Sequence, residues 1–502
     1  MARLSMTLCM TFLFGSLFSQ IIYVTQSGSG SLTGSSWSNA YPAAMLQQAI
    51  DEASSEVWVA AGTYRTTSGS DRAISFHMRN GIAIYGSFAG TETQLSQRDL
   101  SAGLTSILTA EIGSSGISDN SYHTIHNSGL NNSAVIDGFI ITGANDDREA
   151  TETEGLGGGI YNNGNAGVCS PTIRNCVIFN NRAVFGAGIF NSGYLGGNAS
   201  PTITNCVIAF NTATKGGGGI DNFGLAGVAS PVITNTIFYE NTATERAGAM
   251  YCWGGNNGNA SPIVLNSVFV NNRATDGGAI VSDRLNASTG SSGSSDPTLK
   301  NCIFLNNTVT GTGPQFLLLG EATINITYSD IDLAGQTTPN VITGSGTGNI
   351  SANPAFVNIS AAAGVDNIWL TADDGLRLQS NSPCVNSGNN VGTPDTDILS
   401  NPRVADMTVD MGAYEQAGVV TGLEELSTNQ ANFFPNPASE KIVFEAMQSV
   451  REVEVLTALG KPVTLITINE NEVNVRHLPE GMYLLVIRSG KQTMVRKLLI
   501  KR

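Results

Sequence analysis

Positive charge is scarce in this sequence of 502 residues, which has 25 Lys and Arg against 40 Asp and Glu and a formal net charge of −15. Such an acidic balance argues against nucleic acid and against anionic membrane surfaces as partners. Long apolar runs are also scarce, because no segment after the N-terminus reaches the roughly 18 apolar residues that a membrane-spanning helix needs. We therefore expect no transmembrane segment in the mature chain.

Histidine is rarer still. All four histidines lie outside the internal repeat described below: His77, His123, His126 and His477. A Ser-His-Asp arrangement therefore has no base within the repeat. Cysteine is present, but the spacing of the six cysteines after the N-terminal segment does not indicate a disulfide framework. Cys176 and Cys206 occupy the same position of successive repeats, and we interpret them as stacked free thiols, with a disulfide as the alternative.

The one long apolar run lies at the N-terminus. It extends from Leu4 to Phe18, after the single cation Arg3, and the polar pair Ser19-Gln20 follows it. This order is typical of a secretory signal peptide. We expect residues 1–20 to be a signal peptide that is removed on export.

An internal repeat of about thirty residues dominates the chain. Its five copies contain the segments SPTIRNCVIFNN from Ser170, SPTITNCVIAFN from Ser200, SPVITNTIFYEN from Ser230, SPIVLNSVFVNN from Ser261 and DPTLKNCIFLNN from Asp296. A glycine-rich element that ends in an apolar residue comes before each segment, at Ile160, Ile189, Ile220, Met250 and Ile280. A fixed period of this length is typical of stacked structural units.

Apolar and polar residues alternate within each copy, and the repeat lacks the i, i+3, i+4, i+7 spacing of a helix, so short strands are predicted. Asparagine fits the bends between strands because it tolerates left-handed backbone angles. One series of asparagines follows the first strand: Asn175, Asn205, Asn235, Asn266 and Asn301. A second series follows the next strand: Asn181, Asn211, Asn241, Asn272 and Asn307. This pattern predicts a parallel β-helix in which both series form structural ladders between coils about 4.8 Å apart.

The elements Gly277-Gly278-Ala279-Ile280 and Phe304 to Asn307 resemble the repeats of polymorphic outer-membrane proteins and related pectin-lyase-like β-helices. The segments EVWVAAGTY, GIAIYGSFAGTETQLSQRDL, LRLQSNSPCVNSG, NPR and DMGAYE are similar, in this order, to the secreted β-helix family with a choice-of-anchor Q region. The resemblance covers residues 21–416. It implies an all-β fold, a right-handed single-stranded parallel β-helix with an N-terminal cap and a C-terminal capping region.

The last part of the chain has a different character. Alternating strands separated by Asn-Pro, Gly-Lys and Ser-Gly turns predict a small antiparallel β-sandwich at residues 431–502, after a linker at residues 417–430. Residues 427–502 hold 10 Lys and Arg and 7 Asp and Glu, whereas residues 21–426 hold 14 and 33. The change in charge supports a separate domain.

This tail resembles the type A C-terminal sorting domain of the type IX secretion system. The matching positions are Pro435, Asn436, Pro437, Gly460, Gly481, Tyr483 and Lys497. The resemblance implies export by the signal peptide, transport across the outer membrane by the type IX secretion machinery, and a final location at the outer cell surface or outside the cell. A carbohydrate-binding β-sandwich is the alternative for the tail.

Pectin-lyase-like helices include polysaccharide lyases and glycoside hydrolases, which need a base with charge neutralisation or a facing pair of carboxylates. The acids of the five copies are scattered over different positions: Asp221, Glu240, Glu245, Asp276, Asp283 and Asp296. Only Asp221 and Asp283 share a strand region, and the two coils between them separate them by roughly 10 Å or more. We therefore assign no catalytic residue from the sequence.

Aromatic residues occupy outward positions after the glycine-rich elements: Tyr161, Phe190, Phe223, Tyr251 and Trp253. On an exposed sheet these rings could bind a ligand by stacking on its sugar rings. They could equally stack on one another as a structural ladder. The sequence leaves both interpretations open.

Two acidic segments could take Ca²⁺. Asp366, Asp373 and Asp374 place hard oxygen ligands around a turn, in a stretch similar to the GxDxxWxTxDDG of related secreted proteins, and Asp146 to Glu154 is the second segment. Neither has EF-hand spacing, so the alternative is a solvated acidic loop. We assign no other metal or cofactor.

The sequence therefore predicts an exported cell-surface or secreted β-helix protein that binds a polysaccharide or surface glycan in the manner of an adhesin. The alternative is a polysaccharide lyase or glycoside hydrolase on the same scaffold.

Overall fold

A computed structural model describes residues 21–114, 116–151, 153–285, 293–332, 342–344, 346–405, 407–416, 432–445, 452–457, 462–466, 472–489 and 492–502. The predicted signal peptide and linker lie outside these residues. The chain forms two compact units, Met1–Ala417 and Gly418–Arg502. The predicted all-β fold is confirmed, with a parallel β-helix in the first unit and antiparallel sheets in the second.

The first unit is a right-handed parallel β-helix of about 10 turns. One face is a twelve-stranded sheet whose strands are, in spatial order, Tyr41–Pro42, Ile21–Thr25, Glu56–Ala60, Ala83–Phe88, Val135–Asp137, Thr172–Arg174, Thr202–Thr204, Val232–Thr234, Ile263–Leu265, Thr298–Lys300, Ile324–Thr327 and Ile342–Thr343. A second face is a nine-stranded sheet of Gly62–Arg65, Ser106–Thr109, Ile140–Thr142, Val177–Phe179, Val207–Ala209, Ile237–Tyr239, Val268–Val270, Ile303–Leu305 and Asp330–Ile331.

Two smaller sheets complete each coil. A six-stranded sheet contains Asn145–Asp146, Arg182–Phe185, Thr212–Gly216, Thr242–Ala243, Arg273–Ala274 and Thr308–Val309. A seven-stranded sheet contains Ile125–Ser128, Ile160–Asn163, Ile189–Ser192, Ile220–Leu225, Met250–Gly255, Ile280–Leu285 and Phe316–Leu319. The longest helix of the described residues is Leu46–Glu52, with short 3-10 turns at Trp37–Asn39, Ala43–Met45, Leu95–Gln97 and Ile359–Ala361. No helix in this part of the chain has the length and apolarity to cross a membrane.

The core is the stack of inward residues predicted from the repeat. In the twelve-stranded sheet Ile173 pairs in register with Ile203, and Ile203 with Ile233, and all three are buried. On the nine-stranded side the rings of Phe238 and Phe269 are stacked with centroids 4.5 Å apart. The alternation in the sequence therefore predicts correctly which residues of each strand face the core. A shift of one residue would turn each apolar series outward.

Both asparagine series are structural, but one forms the bends of the backbone and the other bonds adjacent coils. Each member of the first series has a left-handed backbone, with φ from 47° at Asn266 to 56° at Asn301, as the bend requires. In the second series the left-handed residue is the one before the asparagine. The buried side chains of the second series instead bond the backbone of adjacent coils: Asn241 Nδ2 donates to the Ile208 carbonyl at 2.7 Å, and Asn211 N donates to Asn241 Oδ1 at 3.2 Å.

The six cysteines of the described residues are buried free thiols. Cys176 and Cys206 lie in successive coils, and each donates to a backbone carbonyl of its own coil, at Arg174 and Thr204. This agrees with the interpretation of stacked thiols rather than a disulfide.

The region predicted to cap the helix lies along its side. Phe356, Leu376, Ile398 and Met411 pack with Ile237 and other residues on the outer face of the nine-stranded sheet. The first asparagine series supplies the polar contacts: Asn301 Nδ2 donates to the Asn389 carbonyl at 3.0 Å. These residues therefore cover the bends that the repeat leaves on this face.

The second unit has two antiparallel sheets, one of Asn432–Phe434, Lys441–Glu445 and Glu472–Asn474, the other of Pro462–Ile466, Glu452–Thr457, Gly481–Ser489 and Gln492–Ile500. Between them lies an apolar cluster that includes Ile442, Val455, Leu485 and Ile500. This confirms the antiparallel tail predicted from the sequence.

Candidate functional site

The outer face of the seven-stranded sheet carries the predicted aromatic positions. Strand pairing aligns Tyr161 with Phe190, Phe190 with Asp221, and Asp221 with Tyr251. One row further along the strands, Phe223 aligns with Trp253. The parallel register therefore places all five predicted ligand-binding residues on one face.

The expectation that this face is exposed is wrong for three of the five rings. Tyr161 is 1% exposed, and Phe190 and Tyr251 are each 3% exposed. A second apolar layer covers them: Leu156 and Phe185 pack with Tyr161 and Phe190, and Phe185 and Ala247 pack with Tyr251. Phe223 and Trp253 are only half-buried. Access to a ligand is thus restricted to the part of the row that the second layer leaves open.

The rings also contact one another. Tyr161 and Phe190 are edge-to-face at 5.7 Å, Phe223 and Trp253 are edge-to-face at 5.0 Å, and Tyr251 and Trp253 are stacked at 6.0 Å. Such pairs stabilise one another by about 0.5–1.5 kcal/mol beyond the area they bury. The row is therefore a structural ladder at its covered end, and the open rings at Phe223 and Trp253 remain the candidates for binding.

A cavity of about 380 Å³ opens beside these two rings. We call it the aromatic cleft. Its walls include Phe185, Phe190, Tyr194, Phe223 and Trp253. Among the described residues that line it, the charged ones are Asp221 and Lys215. Its volume lies within the range of about 300–1,000 Å³ that is usual for small-ligand pockets.

Asp221 is the unusual group of the aromatic cleft. Its side chain is buried, with the residue 1% exposed, and neither carboxyl oxygen has a hydrogen-bond partner among the described residues. Burial raises the pKa of the Asp221 carboxyl well above its ordinary range. The indole Nε1 of Trp253 is also buried without a partner in the described part of the chain. Buried polar groups are normally satisfied, so these atoms are available to bond a ligand.

The other acid of this face, Asp283, is already paired. Its Oδ2 accepts hydrogen bonds from the Tyr251 hydroxyl at 3.1 Å and from Arg246 at 3.2 Å. Burial raises the pKa of Asp283, and these two donors oppose the rise. Asp283 does not line the aromatic cleft. Within the described residues the cleft thus offers one carboxyl group and no facing pair.

Four larger concavities lie elsewhere on the first unit, and two of them, of about 570 Å³ and 500 Å³, are lined by Glu92 and by Tyr414. Of the other two, one of about 710 Å³ is lined by Asn306, Ser351 and Gln379, and one of about 500 Å³ by Arg98, Asn175 and Asn401. Among the described residues, none of the four has a buried lining side chain without a hydrogen-bond partner. They therefore lack the feature that distinguishes the aromatic cleft.

The structure does not bring the three predicted calcium ligands together. Asp366 and Asp373 each accept a hydrogen bond from a backbone N–H of their own loop, at Ile368 and Val365. Asp374 is buried and accepts from the Tyr414 hydroxyl at 2.6 Å. In the described part of the chain no group of three or more His, Cys, Asp or Glu is placed to hold a metal ion. These carboxyls instead stabilise turns and the packing of the C-terminal region.

Acidic side chains of the second segment are also bonded to other side chains of the protein. Arg148 binds both oxygens of the buried Asp146, at 2.7 and 2.8 Å, and reaches Glu154 at 3.3 Å. His126 stacks on Tyr161 at 4.9 Å, and burial lowers its pKa to about 4. This cluster therefore fixes the covered end of the aromatic row.

Among the predicted sorting residues, Asn436 makes the most informative contacts. Its side chain accepts from the backbone N–H of Leu499 at 2.8 Å and donates to the carbonyl of Lys497 at 2.9 Å. The peptide bonds before Pro435 and Pro437 are cis, and the Tyr483 hydroxyl donates to the Pro479 carbonyl at 3.0 Å. Gly481 has a φ of 155°, which favours glycine. Gly460 lies outside the described residues.

The fold defines a parallel β-helix and a separate, small antiparallel unit at the C-terminal end of the chain. Residues 432–501 match the family of the secretion system C-terminal sorting domain. The match confirms the type IX sorting domain expected from the tail, and it implies the secretion machinery as a partner and export to the cell surface or the extracellular space. No curated protein and no solved structure matches the chain.

Sequence reasoning missed the cleft itself. Phe185 and Lys215 come from the six-stranded sheet and Leu156 from the segment before the first full coil, so the sequence alone does not show that they meet. One signal was present. Asp221 stands where the aligned strands have Phe190 and Tyr251, and this break in the pattern marks the position of the cleft.

Proposed function

We propose that this exported protein binds carbohydrate through the aromatic cleft, in the manner of an adhesin, at the cell surface or in the extracellular space. The observation that carries the proposal is the combination of half-buried aromatic rings, Phe223 and Trp253, with the unpartnered carboxyl of Asp221 in one cavity. Flat aromatic faces bind the apolar faces of sugar rings, and a few polar groups then fix the orientation of the ligand.

The edge-to-face arrangement of the two rings supports a bent binding surface. Their planes meet at 75°, so one ring can form a wall and the other a platform. The volume of about 380 Å³ suits one or two sugar units rather than a long chain. The remainder of a polysaccharide would therefore extend into solvent from the mouth of the cleft.

The alternative function is a polysaccharide lyase or glycoside hydrolase. One observation favours it: a buried carboxyl with a raised pKa, such as Asp221, is a feature of catalytic acids. Hydrolysis of the usual kind also needs a second carboxylate about 5–10 Å away across the bond to be cleaved. The candidate for that role, Asp283, is bound by Arg246 and Tyr251 and lies outside the cleft. We therefore favour binding.

The experiment is a titration of the purified protein with a panel of acidic and neutral polysaccharides, with detection of new reducing ends and unsaturated products in the same samples. We expect saturable binding without turnover. Phe223→Ala and Trp253→Ala should each weaken binding by about tenfold or more, since stacking and burial of one ring contribute on the order of 1–3 kcal/mol. Phe210→Ala is the matched control, because Phe210 is an exposed ring that does not line the cleft. Measurable turnover would contradict the proposal.

A further inference from the structure

The aromatic cleft holds an acid that the fold leaves unsatisfied. Both oxygens of Asp221 are buried without a hydrogen-bond partner among the described residues, and the neighbouring Trp253 Nε1 is in the same situation. A buried carboxylate without a partner is destabilising unless an opposite charge or several donors are supplied. Asp221 lines a cavity, so a ligand that enters it can supply them.

The walls of the cleft are suited to positive charge. The faces of aromatic rings attract cations within about 6 Å of the ring centroid. Phe185, Phe190, Phe223 and Trp253 supply such rings around Asp221. One such contact between a cation and a ring is present in the structure. The Nζ of Lys215 lies 5.8 Å from the centroid of the Phe185 ring.

Lys215 does not satisfy Asp221 in this structure. Its side chain is exposed, and the two residues form no ion pair among those of the described residues. The ammonium group of Lys215 thus lies against an aromatic wall of the cleft, while the carboxyl group of Asp221 has no partner among the described residues.

The net charge of the β-helix region adds a long-range contribution to the attraction of a cationic ligand. Residues 21–426 hold 33 Asp and Glu against 14 Lys and Arg. A strongly acidic surface attracts a polycation and repels an acidic polysaccharide, with an effect that falls as salt is added. Both the local and the long-range electrostatics therefore select the same kind of ligand.

We propose that the aromatic cleft binds an amino sugar with a free ammonium group, which pairs with Asp221 while the sugar ring packs on Phe223 and Trp253. The inference rests on the proposed carbohydrate binding and names its ligand class. An ammonium group on the sugar supplies up to three donors to the two Asp221 oxygens. An N-acetylated sugar lacks this charge, and an acidic sugar would place a second negative charge beside the first.

The test compares three oligomers of the same length and linkage, made of glucosamine, N-acetylglucosamine or glucose, in a buffer where the sugar amine is protonated. We expect the glucosamine oligomer to bind the wild-type protein at least about tenfold more tightly than the other two, as one charge-assisted contact predicts. Equal binding of all three, or tighter binding of a neutral oligomer, would overturn the ammonium inference and leave carbohydrate binding standing. Failure of all three to bind would overturn both.

Variants test whether Asp221 is responsible for the preference for the glucosamine oligomer. Asp221→Asn keeps the shape of the side chain and removes its charge, so the preference for glucosamine should fall to within about twofold while the neutral oligomers bind as before. Glu245→Gln is the charge-matched control, since Glu245 is exposed and does not line the cleft. Lys215→Met should bind the glucosamine oligomer as tightly as the wild type or more tightly, because a competing cation is removed. A preference that survives Asp221→Asn, or that is lost in Lys215→Met, would contradict the inference.

Discussion

The Nη1 atom of Arg403 lies 3.6 Å from the Oε2 atom of Glu415, and neither side chain is exposed by more than 1%. Arg403 also donates to the Ala413 carbonyl at 3.0 Å and to the side-chain oxygen of Asn235. Asn235 belongs to the first asparagine series of the repeat. The NPR and DMGAYE segments of the sequence therefore join the C-terminal region to the coils, and their role in this structure is to hold the fold together.

Removal of Arg403 should be strongly destabilising. Arg403→Met removes the donor of the Ala413 carbonyl and of the Asn235 side-chain oxygen, and each buried group left unsatisfied costs about 1–3 kcal/mol. Denaturant unfolding of the first unit measures the change. Arg65→Met is the control, because Arg65 pairs with Glu111 at 3.9 Å with both side chains 47% exposed, and such a pair contributes about 0–1 kcal/mol. A loss as small for Arg403 as for Arg65 would contradict this role.

The stability of the first unit should fall as the pH rises toward neutral. Burial raises the pKa of Glu415 and of Asp374 to about 7 each. A group whose pKa is higher in the folded state contributes stability that is complete below its unfolded pKa, about 4 for these acids, and is lost as the pH rises through the folded value near 7. Unfolding free energies at pH 5 and pH 8 measure the difference.

Neutral variants identify the groups responsible for this pH dependence. Glu415→Gln and Asp374→Asn should each reduce the difference between the two pH values, since each removes one titrating carboxyl. Asp71→Asn, at an exposed residue, should leave the difference unchanged. A first unit that is equally stable at both pH values would show that these two acids do not titrate in this range.

The second asparagine series should be far less tolerant than asparagines at the surface. Asn241→Ala removes the acceptor of the Asn211 backbone N–H and the donor of the Ile208 carbonyl, both inside the stack. Leaving buried partners unsatisfied costs about 1–3 kcal/mol for each group, so we expect a loss of about 2–4 kcal/mol in the unfolding free energy. Asn132→Ala, at an exposed residue, should change it by less than about 0.5 kcal/mol.

One irregular bend should be improved by restoring the repeat. Glu240 has a left-handed backbone with a φ of 49°, where the equivalent residues of three other coils are Asn180, Asn271 and Asn306. Because Asn tolerates this backbone better than Glu does, Glu240→Asn should stabilise the first unit by about 1 kcal/mol. Glu245→Asn makes the same exchange at an exposed residue without a left-handed backbone and should be neutral.

The sequence predicts the coils well because their interactions are periodic. The inward Ile and Phe series, the strand phase and the left-handed Asn175 series all depend on residues one coil apart, and the repeat shows them directly. The covered aromatic rings could not be predicted in this way. Tyr161 and Phe190 are buried by Leu156, which precedes the first full coil, and by Phe185, at a position of the six-stranded sheet where the next coil has Gly216.

The candidate site was predictable only in part for the same reason. The aromatic positions on the seven-stranded sheet follow from the repeat, whereas the burial of Asp221 depends on the segments that fold over it. The C-terminal region is a second example, because Arg403 meets Asn235 over a separation of 168 residues. Contacts of this kind do not recur from coil to coil, so the repeat in the sequence does not predict them.

Carbohydrate binding in the aromatic cleft is tested most directly by the fluorescence of Trp253. The purified protein is titrated with the polysaccharide that binds it best, and the same titration is repeated with Trp253→Phe, which keeps an aromatic ring in the wall. We predict a saturable change in tryptophan emission in the wild type that is lost in the variant, although Trp37, Trp58 and Trp369 remain. A saturable change of the same size in both proteins would place the ligand elsewhere and contradict the account.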